Sequence, residues 1–149
     1  MPKMKGERMK RYPTYPLELL KVSEAITQCQ ICRPQAVFDY MKAEALADRE
    51  IFWVLHLNTK NRIVKKEMIA MGAVDSCRIV LALVLRGAVA SGAPSIMTVH
   101  NHPSGDPSPS TEDKQLWDTL RDACKMLGIR VLDNLVIGAN GFYSEEENR

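Results

Sequence analysis

Apolar residues along the chain follow two spacings, one typical of strands and one typical of helices. Three short, mostly apolar segments have the length of strands and lie at 51–57, 96–99 and 129–137. Three longer segments carry apolar residues three or four positions apart and are predicted as helices at 34–46, 77–90 and 111–127. Because strand and helix patterns alternate, the sequence predicts an α/β fold with a mixed sheet.

Capping residues indicate where the helices begin and end. Pro34 suits the first turn of the first helix, because proline lacks the amide hydrogen that would be unpaired there. Asp75 or Ser76 can cap the second helix, and Ser110 opens a capping box for the third. Gly128 suits the end of the third helix.

Turn residues predict two hairpins. The run at 51–57 is too apolar for a surface strand, so we expect it to be central and covered on both faces. Turn-forming residues at 58–61 join it to a second strand beginning near 62–64. An Asn-Gly turn at 140–141 leads to a last short strand at 142–143.

Length and composition indicate one globular domain. The chain has 149 residues, of which 46% are hydrophobic and 26% charged, enough for a single core. Its longest continuous apolar run, 79–85, is far shorter than a bilayer span, and the first residues lack the apolar centre of a secretory signal. We therefore expect a cytoplasmic protein with no membrane association.

Charge is concentrated near the start of the chain. Residues 1–11 contain five basic side chains and one acidic one, a net charge of +4 in a chain whose total is +2, which leaves −2 for the rest. We expect 1–16 to be a flexible basic arm that can make weak phosphate contacts with nucleic acid, ahead of one domain at 17–149. The last residues, 145–149, are predicted to be a solvated tail.

Cysteine spacing gives a weak metal signal. Cys29 and Cys32 have zinc-like spacing, but Cys77 and Cys124 are single residues in apolar surroundings. Reduced and mostly buried thiols are expected, with a structural zinc site or a redox pair at Cys29 and Cys32 as the alternatives.

The strongest chemical signal follows the run at 96–99. His100 and His102 are two residues apart at the end of a predicted strand, so their side chains point the same way. A proline-rich loop leads to Asp113, whose place in the first turn of the third helix lets it return toward the histidines. Two histidines and one carboxylate can bind zinc and leave a position for water. The plainer alternative is that the histidines make turn hydrogen bonds and Asp113 only caps the helix.

The string His-Asn-His-Pro-Ser-Gly-Asp-Pro at 100–107, with Asp113 eleven positions after the second histidine, resembles the JAMM (MPN-plus) metalloprotease motif, and the RadC-like branch in particular. The resemblance extends over 17–149. It implies one JAMM-type domain with a curved mixed sheet flanked by helices, similar to the cytidine-deaminase-like architecture. It also implies that His100, His102 and Asp113 bind Zn²⁺.

The same resemblance implies that Glu50, at the start of a strand, is the general acid/base and that Ser110 helps to stabilise an oxyanion. From the residues alone, Glu44, Asp48 or Glu67 could equally be the acid near the metal. His56 lies in the strand that follows Glu50, and we expect it to be a partly buried, hydrogen-bonded group rather than a ligand.

Two positions depart from the RadC-like pattern. Relatives usually have Pro-Arg-Glu near the start of the second helix, where this chain has Cys-Arg-Ile at 77–79. They commonly have Asp-His in the strand where this chain has Asp133 and Asn134. Because the triad is intact, metal binding is expected to survive both changes.

The leading hypothesis is a zinc-dependent hydrolase that acts on peptide or isopeptide bonds of a peptide or protein substrate through a metal-activated water. The alternative is a DNA-repair or mobile-element accessory module that binds nucleic acid or a protein partner and uses zinc structurally. A position left open on the metal and a Glu50 directed toward it would favour the hydrolase. The sequence specifies neither the substrate nor an oligomeric state.

Overall fold

The structure is a computed structural model that describes residues 23–24, 30–31, 33–72 and 79–149. Its six strands are β1 (Ser23–Glu24), β2 (Ile51–Leu57), β3 (Ile63–Met71), β4 (Ser95–Asn101), β5 (Arg130–Gly138) and β6 (Gly141–Ser144). Its three α-helices are α1 (Pro34–Tyr40), α2 (Leu81–Ser91) and α3 (Thr111–Leu127). Short 3₁₀ turns occur at Glu44–Leu46 and Glu146–Asn148.

All six strands form one sheet in the order β1-β3-β2-β4-β5-β6. β4 and β5 run parallel, whereas the other neighbouring pairs are antiparallel. This arrangement confirms the predicted α/β fold with a mixed sheet flanked by helices. It also confirms both predicted hairpins, formed by β2 with β3 and by β5 with β6.

The sheet separates two hydrophobic clusters, which confirms that β2 is covered on both faces. Every residue of β2 is buried, and its side chains alternate between the clusters. Trp53 and Leu55 belong to the cluster that includes Val37 and Met41, beside α1. The residues of the other cluster, beneath α2 and α3, include Phe52, Val54, Val84, Ala88, Ile96, Leu120 and Cys124.

Two predicted helix boundaries are wrong. The first helix ends at Tyr40 rather than at 46, and the following 3₁₀ turn directs Glu44 inward, where its Oε1 lies 2.5 Å from Lys66 Nζ. The second helix begins at Leu81 rather than at 77, after Val80 in extended conformation. Asp75 and Ser76, the predicted caps of this helix, lie outside the described residues.

The structure of the C-terminal half agrees more closely with the prediction from the sequence. α3 has the predicted bounds and ends at Gly128, which has the left-handed φ of +70° that favours glycine. The solvated tail, however, is wrong for Glu145, whose carboxylate accepts hydrogen bonds from Arg121 Nη2 (2.6 Å) and Asn134 Nδ2 (2.7 Å). A buried amide and a guanidinium therefore hold the start of this segment against the sheet.

Several predictions concern parts of the chain that are not described. The basic arm at 1–16 lies outside the described residues, as do Cys29, Cys32 and Cys77. Cys124 is described and is a buried free thiol, in agreement with its expected state. Within the described ranges, no helix combines the length and the apolar character needed to cross a membrane.

Candidate metal centre

The end of β4 brings two histidine side chains together. His100 lies in the strand and is only 1% exposed, whereas His102 lies just beyond the strand end. The backbone N–H of His102 donates to the carbonyl of Ile137 at 2.9 Å, which holds this residue beside β5. As a result, the two Nε2 atoms are 3.2 Å apart. The predicted convergence of the histidines is thus present.

The first turn of α3 supplies the carboxylate. Ser110 Oγ accepts a hydrogen bond from the N–H of Asp113 at 3.0 Å, and Asp113 Oδ2 accepts one from the N–H of Ser110 at 2.7 Å. This reciprocal capping box fixes the side-chain direction of Asp113. Asp113 Oδ1 lies 3.2 Å from His100 Nε2, and Oδ2 lies 3.5 Å from His102 Nε2. Asp113 therefore caps the helix and faces both histidines.

Hydrogen bonding and stacking orient the two rings. His102 Nδ1 lies 3.0 Å from the carbonyl oxygen of Asp106, which can accept its proton, so Nε2 is the ring atom directed toward His100 and Asp113. The His100 ring stacks on Phe52 with centroids 5.9 Å apart and also contacts Trp117. His100 Nδ1 is buried without a hydrogen-bond partner among the described residues. Both Nε2 atoms are thus held toward the same point.

Hydrogen bonds within the cluster keep the Asp113 carboxyl ionised. Burial raises the pKa of the Asp113 carboxyl, but hydrogen bonds with His100 and His102 outweigh burial and hold that pKa well below its usual range. The hydrogen bond with Asp113 raises the pKa of His102, against the effect of burial. Asp113 is therefore an anion at neutral pH, beside two nitrogen donors.

The spacing of the three side chains is compatible with one shared metal ion. Zinc bonds to nitrogen and oxygen of about 2.0–2.1 Å place tetrahedral ligands about 3.3–3.4 Å apart. The separations here are 3.2 Å between the two Nε2 atoms, 3.2 Å from that of His100 to Asp113 Oδ1 and 3.5 Å from that of His102 to Asp113 Oδ2. Three protein donors are one fewer than a tetrahedral zinc ion takes, and hydrolytic zinc sites keep the fourth position for water.

A cleft of about 190 Å³ adjoins this cluster. Its lining comprises Glu50, Phe52, Ile79, Glu112, Asp113 and Leu116. Glu50, the residue immediately before β2, thus shares a cleft with the Asp113 carboxylate. Burial raises the pKa of Glu50, and electrostatic interactions with His100 and His102 offset part of that rise.

The other candidate acids have partners elsewhere. Glu44 is paired with Lys66, Asp48 with Arg49, and Glu67 with His56 and Lys65. Of the four carboxylates that the sequence left open, Glu50 is the one that lines the cleft. Glu50 therefore shares the cleft with Asp113, whereas the three alternative acids do not line it.

Ser110 lies at the edge of the same cluster. Its hydroxyl oxygen accepts from Asp113 and is exposed, and its proton has no acceptor among the described residues. It can therefore still donate a hydrogen bond to a bound molecule.

His56, by contrast, is wholly buried between β2 and α2, with Nε2 3.1 Å from Glu67 Oε2. It is hydrogen-bonded and apart from the triad, as expected, although more deeply buried.

The two departures from the RadC-like pattern lie in different places. Ile79 lines the cleft, where Glu112 supplies a carboxylate. Asn134 is buried in β5, where its side chain is hydrogen-bonded to Thr98 and Glu145.

Asn101, between the two histidines, was not identified from the sequence. Its only sequence signal was a polar residue at the buried end of a strand.

The fold and the cluster together define a class. An α/β domain that presents a His-x-His pair from a strand end and an Asp from the next helix has the arrangement of a JAMM-type domain. Residues 31–149 match the family model described as RadC-like JAB domain, and the chain belongs to that family.

Relatives of known sequence agree with this assignment. A UPF0758 protein of Pelodictyon phaeoclathratiforme is 40% identical over 113 residues, which are 75% of this chain and 51% of the relative. A UPF0758 protein of Clostridium perfringens (strain 13 / Type A) is 39% identical over 128 residues, 85% of this chain and 56% of the relative. A UPF0758 protein of Methanosarcina acetivorans is 37% identical over 116 residues, which are 77% of this chain and 51% of the relative. The chain spans about half the length of the curated relatives it matches, and their names state no activity.

Proposed function

We propose that this domain is a zinc-dependent hydrolase of peptide or isopeptide bonds. One observation carries the proposal: His100, His102 and Asp113 converge, and Asp113 lines a cleft that Glu50 also lines. Nitrogen and carboxylate donors of this kind are typical of hydrolytic zinc sites. A proton-accepting carboxylate beside such donors is the second part that metal-assisted amide hydrolysis requires.

The three side chains would hold zinc through both Nε2 atoms and a carboxylate oxygen of Asp113. When bound, zinc would polarise a substrate carbonyl and lower the pKa of a water to about 7. The backbone N–H of Ser110 and the carbonyl of Asp106 would keep Asp113 and His102 in the orientation that binding requires.

Proton transfer is assigned to Glu50. Its carboxylate would take a proton from the attacking water as the C–O bond forms, and would give that proton to the nitrogen as the C–N bond breaks. A pKa raised by burial suits both steps, because it lies closer to neutrality than that of an exposed glutamate. The Ser110 hydroxyl would donate to the developing oxyanion.

The cleft has room for part of a substrate. Phe52, Ile79 and Leu116 form an apolar wall beside the carboxylates, and such a wall excludes water from the reacting groups. The residues that perform the reaction do not select a substrate, so the bond class rests on the resemblance to JAMM proteins.

Hydrolysis can be tested directly. We would incubate the zinc-loaded protein with libraries of linear peptides and of peptides joined through a lysine side chain, and identify the products by mass spectrometry. The wild type should cleave members of at least one library, and Glu50→Gln should lower kcat about 10²–10⁴-fold while zinc remains bound. Asp48→Asn is the matched control, because Asp48 lies two residues away and is paired with Arg49.

Two results would contradict the proposal: no cleavage by the zinc-loaded wild type, or equal rates for the wild type and Glu50→Gln.

The alternative function, a binding module with structural zinc, has one observation in its favour. A cleft of about 610 Å³ near the C-terminal end of α3 is lined by Arg121, Lys125, Arg130 and Arg149, which could contact an anion. However, Arg121 and Arg149 are already paired with acidic residues of 145–146. Three zinc donors beside Glu50 favour hydrolysis over a closed structural site.

A further inference from the structure

Asn101 occupies an unusual place in the candidate metal centre. It is the last residue of β4, lies between two proposed ligands and is wholly buried. Because successive side chains of a strand alternate between faces, it points away from the face on which His100 meets Asp113. A buried amide carries two donors and an acceptor that need partners, so its contacts indicate what it does.

The Asn101 side chain holds the backbone on both sides of Glu50. Its Oδ1 accepts a hydrogen bond from the N–H of Ile51 at 2.8 Å, and its Nδ2 donates one to the carbonyl of Arg49, also at 2.8 Å. These two residues directly precede and follow Glu50. A single amide group therefore fixes both peptide units that determine where the Glu50 side chain starts.

The Asn101 side chain contacts the chain just beyond the last backbone pair between β2 and β4. The ladder between β2 and β4 runs from the pair Leu57 and Ser95 to the pair Phe52 and His100 and goes no further. Beyond that point, the Asn101 backbone pairs with Ile137 of β5, and its side chain contacts the entry to β2 in place of a strand partner. On the other side, the N–H of Gly72 donates to the carbonyl of Glu50 at 2.9 Å.

We propose that Asn101 is a positioning residue that sets the Glu50 carboxylate relative to the metal ligands. The tripeptide at 100–102 would then supply two zinc donors on one face and a clamp for the proton-transferring residue on the other. This inference rests on the proposed hydrolase function. It differs from a purely structural role, which would require only that the buried amide be satisfied.

The test compares substitutions at two buried asparagines. Asn101→Leu keeps a side chain of similar shape but removes both hydrogen bonds, and Asn101→Asp keeps the acceptor for Ile51. Asn134→Leu is the matched control, because Asn134 is equally buried and also makes two side-chain hydrogen bonds, but not to the residues beside Glu50. Each zinc-loaded full chain is measured for zinc content, thermal midpoint, Ile51 amide exchange, and kcat and KM on a peptide that the wild type cleaves.

Asn101→Leu should bind zinc, exchange its Ile51 amide faster and lose about 100-fold in kcat, with KM changed less than about threefold. Asn101→Asp should protect the Ile51 amide and show a smaller loss. Asn134→Leu should be destabilised but retain kcat within about threefold of wild type. If Asn101→Leu does not fold, Asn101→Asp provides the test. An unchanged kcat in Asn101→Asp would contradict a role for the hydrogen bond to Arg49.

Failure of this inference is distinguishable from failure of the hydrolase proposal. Unchanged Ile51 exchange in Asn101→Leu, or an equal loss of kcat in Asn134→Leu, would overturn the positioning role while hydrolysis by the wild type stands. Absence of hydrolysis by the zinc-loaded wild type would overturn the proposed function, and the positioning role with it.

Discussion

Among single residues, histidines show most clearly how surroundings decide chemistry. His100 and His102 lie beside an ionised carboxylate and present Nε2 to a common point. His56 lies under α2, where Gly87 permits close packing, since a Cβ at that position would be 2.9 Å from the imidazole Cε1. The three imidazole rings are chemically alike, but only those of His100 and His102 lie beside the same carboxylate, that of Asp113.

Burial gives His56 a pH-dependent effect on stability. Burial lowers the pKa of His56, although its hydrogen bond with Glu67 acts in the opposite direction. In the unfolded chain its pKa returns to about 6.5, so the unfolded state binds the proton first as the pH falls. The contribution of neutral His56 to stability is therefore complete above pH 6.5 and decreases from there toward the lower folded-state pKa.

The variant His56→Gln tests this effect. The free energy of unfolding, measured in urea at pH 7.5, 6.5 and 5.5, should fall more steeply for the wild type than for the variant. The advantage of the wild type should thus shrink toward acid pH. An advantage that stays constant, or that grows as the pH falls, would show that His56 is not held neutral by burial.

Local sequence identifies some site residues and not others. The histidines and Asp113 are recognisable because strand alternation and a capping box act over a few positions. Glu50 is not, because acids flanking a strand look alike until their partners are known. Asn101 was missed because its partners are some fifty positions earlier in the chain. Such a contact depends on sheet register, which local patterns do not determine.

At the scale of elements, the candidate site depends on how the loop between β4 and α3 packs against β5. The N–H of Asn140 faces the carbonyl of Gly105 at 3.4 Å, and that carbonyl lies directly against Gly138 of β5. A Cβ on Gly138 would be 2.4 Å from the Gly105 oxygen. Because the loop connects His102 with Asp113, its seating on β5 controls the distance between two proposed ligands.

Gly138→Ala is expected to weaken zinc binding without touching a ligand. The added methyl group must displace the Gly105 backbone, and disturbed support of metal ligands typically costs about 10–100-fold in affinity. The measurement is a competition titration with a chromogenic zinc chelator. In Gly87→Ala, the control, the methyl group meets Glu67 and His56 instead, so stability should fall while zinc affinity stays unchanged. Equal affinity in wild type and Gly138→Ala would contradict the assigned role of the loop.

Element boundaries were predictable where local capping sets them. α3 has its predicted limits because a capping box and a left-handed glycine lie at its ends. α1 is shorter than its apolar spacing indicates, because Glu44 turns inward to Lys66 on β3. The end of β3 was not predicted, because charged residues such as Lys66 and Glu67 interrupt its apolar pattern, although both are buried in ion pairs.

For the whole molecule, alternation of strands and helices was enough to predict the fold class. The order of the strands was not predictable, because β4 lies between strands from distant parts of the chain. That order is what brings the entry to β2, the end of β4 and the start of α3 together. The candidate site is therefore a property of the assembled sheet, and membership of the RadC-like JAB domain family agrees with it.

The measurement that tests the central claim most directly is the zinc content of purified, reconstituted protein, determined by elemental analysis. The wild type and His56→Gln should each hold about one zinc ion per chain, and His102→Ala should lose it, because two remaining donors bind zinc too weakly. A wild type that holds no zinc after reconstitution, or a His102→Ala variant that holds as much as the wild type, would contradict the proposed metal centre.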